Sequence, residues 1–470
     1  MMKPSLALTD YNLRRIAWLS LVSLVLMNTP FAQAQKTSVN HPSALVQRNG
    51  PAPTPPMGWN SWDSYGTTVT EQEVKANTDY MASHLARYGW RYIVVDIQWY
   101  EPNAKAHGYR ENAEVVTDEY GRLLPATNRF PSASGGRGFK PLADYIHSKG
   151  LKFGIHIMRG IPRQSVKNNY PVWGTQVRAR DIADTQSTCR WNSDMYGVDT
   201  SRTGARAYYE SIVALYATWG VDYIKADDMG RPFHGDEVAA LSGAIKKSGR
   251  PIVLSISPGA ADIANVEELQ RYAQLWRISD DFWDKWEDIK QQFNFCRKWS
   301  HYIGPNSWPD ADMLPLGRIG LRAERGDARQ TNFTKDEQVT LMTLWSIFRS
   351  PLMFGGDLPS NDAFTLSLIT NEEVLAVNQR SARNREMFTR ENQISWIADV
   401  PGARDKYLAV FNLDDSSATE IKIEWREMAL SGKCSVRDLW QKKELGIFQD
   451  EFTARVNPHG AALYKVRMVQ

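Results

Sequence analysis

Between Met57 and Phe354 the chain alternates short apolar, β-prone runs with stretches of helical periodicity. The candidate strands are 57–62, 92–99, 151–157, 221–228, 251–257, 274–281, 305–312 and 351–356, eight in all. Their intervals hold helical patterns. Thr70 and Glu73 read as a capping box ahead of Val74, Met81, Leu85 and Tyr88, and Thr334 with Glu337 repeats the device before Val339, Met342, Trp345 and Phe348. Thr370 with Glu373 reads the same way. Alternating strand and helix signals predict parallel β/α units, and eight pairs predict a (β/α)8 TIM barrel whose site lies at the strands' C-terminal ends. The long loops 99–138 and 158–201 fall on that side and are expected to wall it. After about residue 385 the pattern changes to period-two runs, Ile394–Ala398, Tyr407–Phe411, Glu420–Trp425 and Ala461–Val466, which predict a C-terminal antiparallel β domain.

Two candidate strands carry charge where burial is expected. In Val221–Asp228, Tyr223, Lys225 and Asp227 share one face, with Ile224 and Ala226 on the other. In Leu275–Asp281, Arg277, Ser279 and Asp281 share a face against Trp276 and Ile278. Ionisable groups on a buried strand are costly unless paired or functional. The structural alternative is a buried ion pair. Two carboxylates delivered beside cations by two strand ends is also the constitution of a retaining glycosidase, where nucleophile and acid/base stand about 5 Å apart.

The remaining composition narrows the class. Residues 1–34 read as a secretory signal: Arg14 and Arg15 precede the apolar run Ile16–Met27, and Ala32-Gln33-Ala34 forms an A-x-A cleavage site. The run is short for a membrane span, so export to the periplasm or medium is expected, with no span after cleavage. Without that segment 53 basic face 52 acidic residues, a net of +1, which argues against a nucleic-acid partner. Residues 35–54 form a polar, proline-stiffened leader, 55–384 the barrel and 385–470 the C-terminal domain. Cys189, Cys296 and Cys434 allow one disulfide at most, and no Cys or His spacing suggests a structural zinc. Seventeen Trp and nineteen Tyr suit sugar-ring faces as well as a core.

Four motifs then carry a family resemblance. Lys225-Ala226-Asp227 resembles the K-Y-D motif of glycoside hydrolase family 27, the α-galactosidase/melibiase family, and Trp276-Arg277 with Asp281 resembles its W-R-x-x-x-D. Met57–Trp62 is similar to its opening M-G-W-N-S-W, and Trp308–Leu314 to its W-N-D-P-D-M-L. The resemblance implies a small C-terminal β-sandwich and a retaining, exo-acting α-galactosidase-like enzyme without metal or cofactor, acting on an oligo- or polysaccharide. It implies Asp227 as nucleophile and Asp281 as acid/base, with Asp228 and Asp280 their nearest rivals. It further implies Trp62, Asp96, His156, Lys225, Ser257 and Arg277 as substrate-binding residues.

The chain departs from the α-galactosidase pattern at the glycone. Ile97 replaces the second of two Asp that grip the O4/O6 edge of galactose, His156 replaces a Tyr, and Met229 stands where a disulfide Cys is common. Ser257 and Ala260 occupy the loop that reads C2, a pairing that accommodates an N-acetyl group. Sibling specificities are therefore open: β-L-arabinopyranosidase, α-N-acetylgalactosaminidase or isomaltodextranase. A non-catalytic carbohydrate-binding barrel and a metal-dependent hydrolase using His156 with Asp96 are the readings from other classes.

Overall fold

The computed structural model describes residues 50–469, so the predicted signal and most of the predicted leader lie outside the described residues. Eight parallel strands form one curled sheet: β1 (Met57–Asn60), β2 (Tyr92–Val95), β3 (Lys152–Met158), β4 (Tyr223–Asp227), β5 (Val253–Ile256), β6 (Leu275–Arg277), β7 (Trp308–Asp310) and β8 (Leu352–Phe354). Their order is β7-β6-β5-β4-β3-β2-β1-β8. The seam between β7 and β8 is stitched just past β7, where the Leu314 amide donates to the Met353 carbonyl at 2.8 Å and Gly355 donates to Leu314 at 2.9 Å. This is the expected (β/α)8 barrel. Seven of the strands fall inside their predicted runs and are shorter than them, while β3 runs one residue past its predicted end at 157.

Helices follow every strand, among them Glu71–Tyr80, Ala205–Trp219, Gly235–Ser248 and Trp286–Trp299. Two expected capping boxes are present: Thr70 with Glu73, and Thr334 with Glu337. The third is not. Thr370 ends the helix Ala363–Ile369 and donates back to the Leu366 carbonyl, while Asn371 caps Glu372–Arg380 by accepting from the Glu373 and Val374 amides. An Asn one position nearer the helix accepts from the orphan amides, which leaves the threonine hydroxyl free for the preceding turn.

Helix Lys335–Phe348 is buried on nearly every side. It lies between barrel and C-terminal domain: Thr340 donates to the His459 carbonyl at 2.6 Å, and Trp440 donates to the Thr343 hydroxyl at 2.9 Å.

The C-terminal domain has a six-stranded antiparallel sheet, in the order 382–390, 393–399, 406–412, 461–468, 433–438 and 443–449. A two-stranded sheet, 419–424 with 451–456, packs on it through Ile397, Leu408, Val410, Ile421, Ile423 and Trp425, completing a β-sandwich. The four predicted runs are all strands. Of the four others, the edge strand 443–449 is mostly exposed and carries no buried alternation, whereas 433–438 and 451–456 do alternate in burial.

Cys189, Cys296 and Cys434 are each buried and unpaired. No helix among the described residues is long and apolar enough to cross a membrane.

Candidate active site

A cavity of about 890 Å³ opens at the C-terminal ends of the strands. Seven of the eight residues singled out above line it: Trp62, Asp96, Lys225, Asp227, Ser257, Arg277 and Asp281. The eighth, His156, stands behind the wall, fully buried, with Nε2 on Asp227 Oδ2 at 2.8 Å. Parallel register explains the grouping, since His156 pairs with Lys225 and Lys225 with Ser255 across β3, β4 and β5. The long loops supply Tyr109, Ser187 and Trp191 to the walls, as expected.

Asp227 ends β4 as an acceptor of several bonds. His156 binds Oδ2, and the Ser257 hydroxyl and Asp228 amide each donate to Oδ1 at 3.1 Å. Burial pushes its carboxyl up, but the His156 hydrogen bond and the charges of His156 and Lys225 outweigh burial, and it sits below its ordinary value. Lys225 Nζ donates to Asp96 Oδ2 at 2.9 Å, a salt bridge that Asn60 joins at 2.8 Å, and its influence on Asp227 is through space. Burial raises the Asp96 carboxyl, yet Lys225, His156 and the Ile97 amide bring it down to about 2. Ser257 likewise spends its hydroxyl on Asp227.

The rivals are occupied. Asp228 is held by Arg159, whose guanidinium sits 2.8 Å from Oδ2 and 2.7 Å from Glu237. Asp280 is exposed and salt-bridged to Arg231 at the rim.

Asp281 reaches the cavity by a different route from the one alternation suggested. Strand β6 ends at Arg277, so the shared face goes no further. Ser279 turns outward and accepts from Gln292 Nε2 at 2.7 Å, while the loop carries Asp281 back toward Arg277 at 3.3 Å. Arg277 is buried and also pairs with Asp312 at 2.7 Å. Desolvation lowers the Arg277 guanidinium, but the carboxylates around it, Asp312 and Asp281 foremost, raise it above its usual value and hold it charged. Asp281 keeps 45 % of its side chain exposed, open to an incoming ligand and to solvent.

Several cavity residues were not singled out from sequence. Asp63 directly follows Trp62 in the opening motif and lines the cavity. Tyr109 stacks on Trp62 with ring centroids 6.0 Å apart and meets Trp191 at 5.5 Å, an aromatic line from floor to rim. These two sit in irregular loops, where no periodicity marks them. Ile97 is buried and does not line the cavity; its amide donates to Asp96 Oδ1 at 2.8 Å, and its side chain offers the site no polar group. Among the described residues no three His, Cys, Asp or Glu converge as metal ligands.

A barrel with ionised and hydrogen-bonded carboxylates around one aromatic-walled cavity defines the chain as a glycosidase, and comparison with known proteins agrees. It matches the alpha galactosidase A family profile over residues 54–203 and 200–380, and the alpha galactosidase C-terminal beta sandwich domain over 391–466. The chain belongs to glycoside hydrolase family 27. The α-galactosidase of Coffea arabica is 30 % identical over 424 residues, 88 % of this chain and 94 % of that one. Alpha-galactosidase 2 of Arabidopsis thaliana is 27 % identical over 98 % of each chain. Among solved structures, a family 27 β-L-arabinopyranosidase of Geobacillus stearothermophilus in complex with arabinose is 50 % identical, with a TM-score of 0.88 over 89 % of this chain and 98 % of that one.

Proposed function

We propose that the protein is a retaining, exo-acting glycosidase that releases terminal β-L-arabinopyranosyl residues, with α-galactosides as slower substrates. The two sugars differ only in the hydroxymethyl group of galactose. One observation carries the choice: the end of β2 presents a single carboxylate, Asp96, already neutralised by Lys225, while Ile97 has no group for a primary hydroxyl. A glycone site that lacks the partner for a hydroxyl stops favouring sugars that carry it, because that hydroxyl would be desolvated without return. The 50 % identity to a β-L-arabinopyranosidase, against about 30 % to α-galactosidases, supports the same reading.

In this mechanism Asp227 attacks the anomeric carbon. His156, Ser257 and the Asp228 amide keep it ionised and fix its oxygens before the sugar arrives. Asp281 gives its proton to the departing oxygen, then takes one from the water that cleaves the glycosyl ester. Arg277 anchors the Asp281 loop and offers positive charge beside it. Asp96 and Lys225 bind the glycone hydroxyls, and Trp62 lies against the ring. No step needs a metal or cofactor. The secretory signal predicted in residues 1–34 would place this work outside the cytoplasm, on an oligo- or polysaccharide.

A panel of p-nitrophenyl glycosides tests the assignment. The β-L-arabinopyranoside should exceed the α-galactoside in kcat/KM by about tenfold or more, the worth of one mismatched polar group. A preference for the α-galactoside or α-N-acetylgalactosaminide would overturn it.

A further inference from the structure

Asp63 sits in the first turn of the short helix Trp62–Tyr65, beside the stacking residue Trp62 and at the wall of the sugar cavity. Its side chain is almost wholly buried, and among the described residues neither carboxyl oxygen has a hydrogen-bond partner; Oδ2 is sealed from solvent altogether. The fold makes room for it deliberately. A methyl group built on Gly355, just past β8, would lie 1.8 Å from Asp63 Oδ2, so the recess exists only because residue 355 has no side chain. With Oδ2 wedged there, Oδ1 is the atom left to face the cavity.

A buried carboxyl with no internal partner is costly, and a site that keeps one has a ligand group to meet it. Its charge state follows from its neighbours. Asp96, Asp281 and Asp312 act on it from β2, the β6 loop and the β7 loop, and Lys225 is the cation that opposes them. Lys225 is already committed to Asp96, and Arg277 to Asp281 and Asp312. Burial first, then Asp312, hold the Asp63 carboxyl well above its ordinary range, against the pull of Lys225. A carboxylic acid kept neutral by its surroundings can donate a hydrogen bond at neutral pH, which a carboxylate cannot.

We propose that Asp63 is a specificity-determining residue of the glycone subsite, donating the proton of its neutral carboxyl in a hydrogen bond to one hydroxyl of the bound sugar ring. This rests on the cavity being a sugar site, as argued above. It adds a protonated acid to a subsite whose other polar contacts, Asp96 and Lys225, are charged.

The experiment measures kcat/KM of wild type, Asp63→Asn and Asp63→Ala on p-nitrophenyl β-L-arabinopyranoside and on its monodeoxy analogues. Asp63→Ala should lose about 10- to 100-fold on the parent glycoside, as expected for one buried hydrogen bond to a sugar. Asp63→Asn keeps a donor in the same shape and should recover most of that loss. One monodeoxy analogue, already poor for wild type, should suffer no further loss in Asp63→Ala, because the partner hydroxyl is gone. Equal losses by Asp63→Ala on every analogue, or an Asp63→Asn variant as weak as Asp63→Ala, would overturn the proposal. If folded wild-type protein turned over none of the parent glycosides, the glycosidase specificity itself would fall, a failure visible before any variant is compared.

Discussion

Replacing His156 by leucine removes the shortest hydrogen bond to Asp227 without opening a large void. Asp227 accepts from His156 Nε2 at 2.8 Å, from the Ser257 hydroxyl at 3.1 Å and from the Asp228 amide at 3.1 Å. His156 is also the first of the groups that hold the carboxyl down against its burial. A charge-assisted hydrogen bond contributes about 1.5–3 kcal/mol, which converts to roughly one to two pKa units. The sign is fixed: losing a donor to the ionised form raises the Asp227 pKa. The acid limb of kcat/KM against pH, measured on an aryl glycoside, should therefore move to higher pH by about one to two units. Activity should fall more at pH 5 than at pH 7, and circular dichroism should show the barrel intact. An acid limb that stays where it is in wild type would refute the idea that His156 tunes the nucleophile.

Asp281→Ala should lose most activity on alkyl and oligosaccharide substrates yet retain much of it on glycosides with good leaving groups, which need little protonation; equal losses on both would remove Asp281 from the acid/base role. Ile97→Asp should shift the ratio of α-galactoside to β-L-arabinopyranoside kcat/KM upward by about tenfold, read from the same glycoside panel. Asp310 is buried, and desolvation followed by the Asp312 charge pushes its carboxyl up to about 7, although the Arg277 charge and the Asp312 amide, which donates to it at 2.9 Å, pull the other way. A folded pKa raised above the unfolded value contributes stability that is complete below about pH 4 and is lost as pH rises through 7. Asp310→Asn keeps the amide acceptor and removes that loss, so denaturant titration should find it more stable than wild type at pH 8, by up to a few kcal/mol, with little difference at pH 4. A wild-type-like pH dependence in the variant would contradict the assignment.

Much of this architecture was legible in the chain because β/α alternation is a strong, repeated signal. All eight barrel strands coincide with predicted runs, seven of them wholly inside and β3 one residue beyond, and Asp227 and Lys225 keep the alternation read from Val221–Asp228. Legibility stopped where regular backbone stopped. Ser279 and Asp281 were placed on one face by a strand that ends at Arg277, and the two side chains go to opposite sides. Lys225 reads as the partner of its sequence neighbour Asp227, but β2 brings Asp96 closer, and only the sheet order reveals it. His156 reads as a substrate-binding residue, but it is fully buried behind the cavity wall and reaches the site only through its bond to Asp227. Asp63 was overlooked because a single Asp after a Trp has no periodicity, and its environment is built by Gly355, on the neighbouring strand's end but far along the chain.

The central claim is that Asp227 forms a covalent bond to the sugar. Incubating the protein with a fluorinated, mechanism-based glycosyl fluoride and digesting it for mass spectrometry tests this directly. One glycosyl adduct per chain is expected, on the peptide and residue of Asp227, with activity lost in step. An adduct on Asp228 or Asp281, or steady turnover of the reagent with no adduct and inversion at the anomeric carbon, would contradict it.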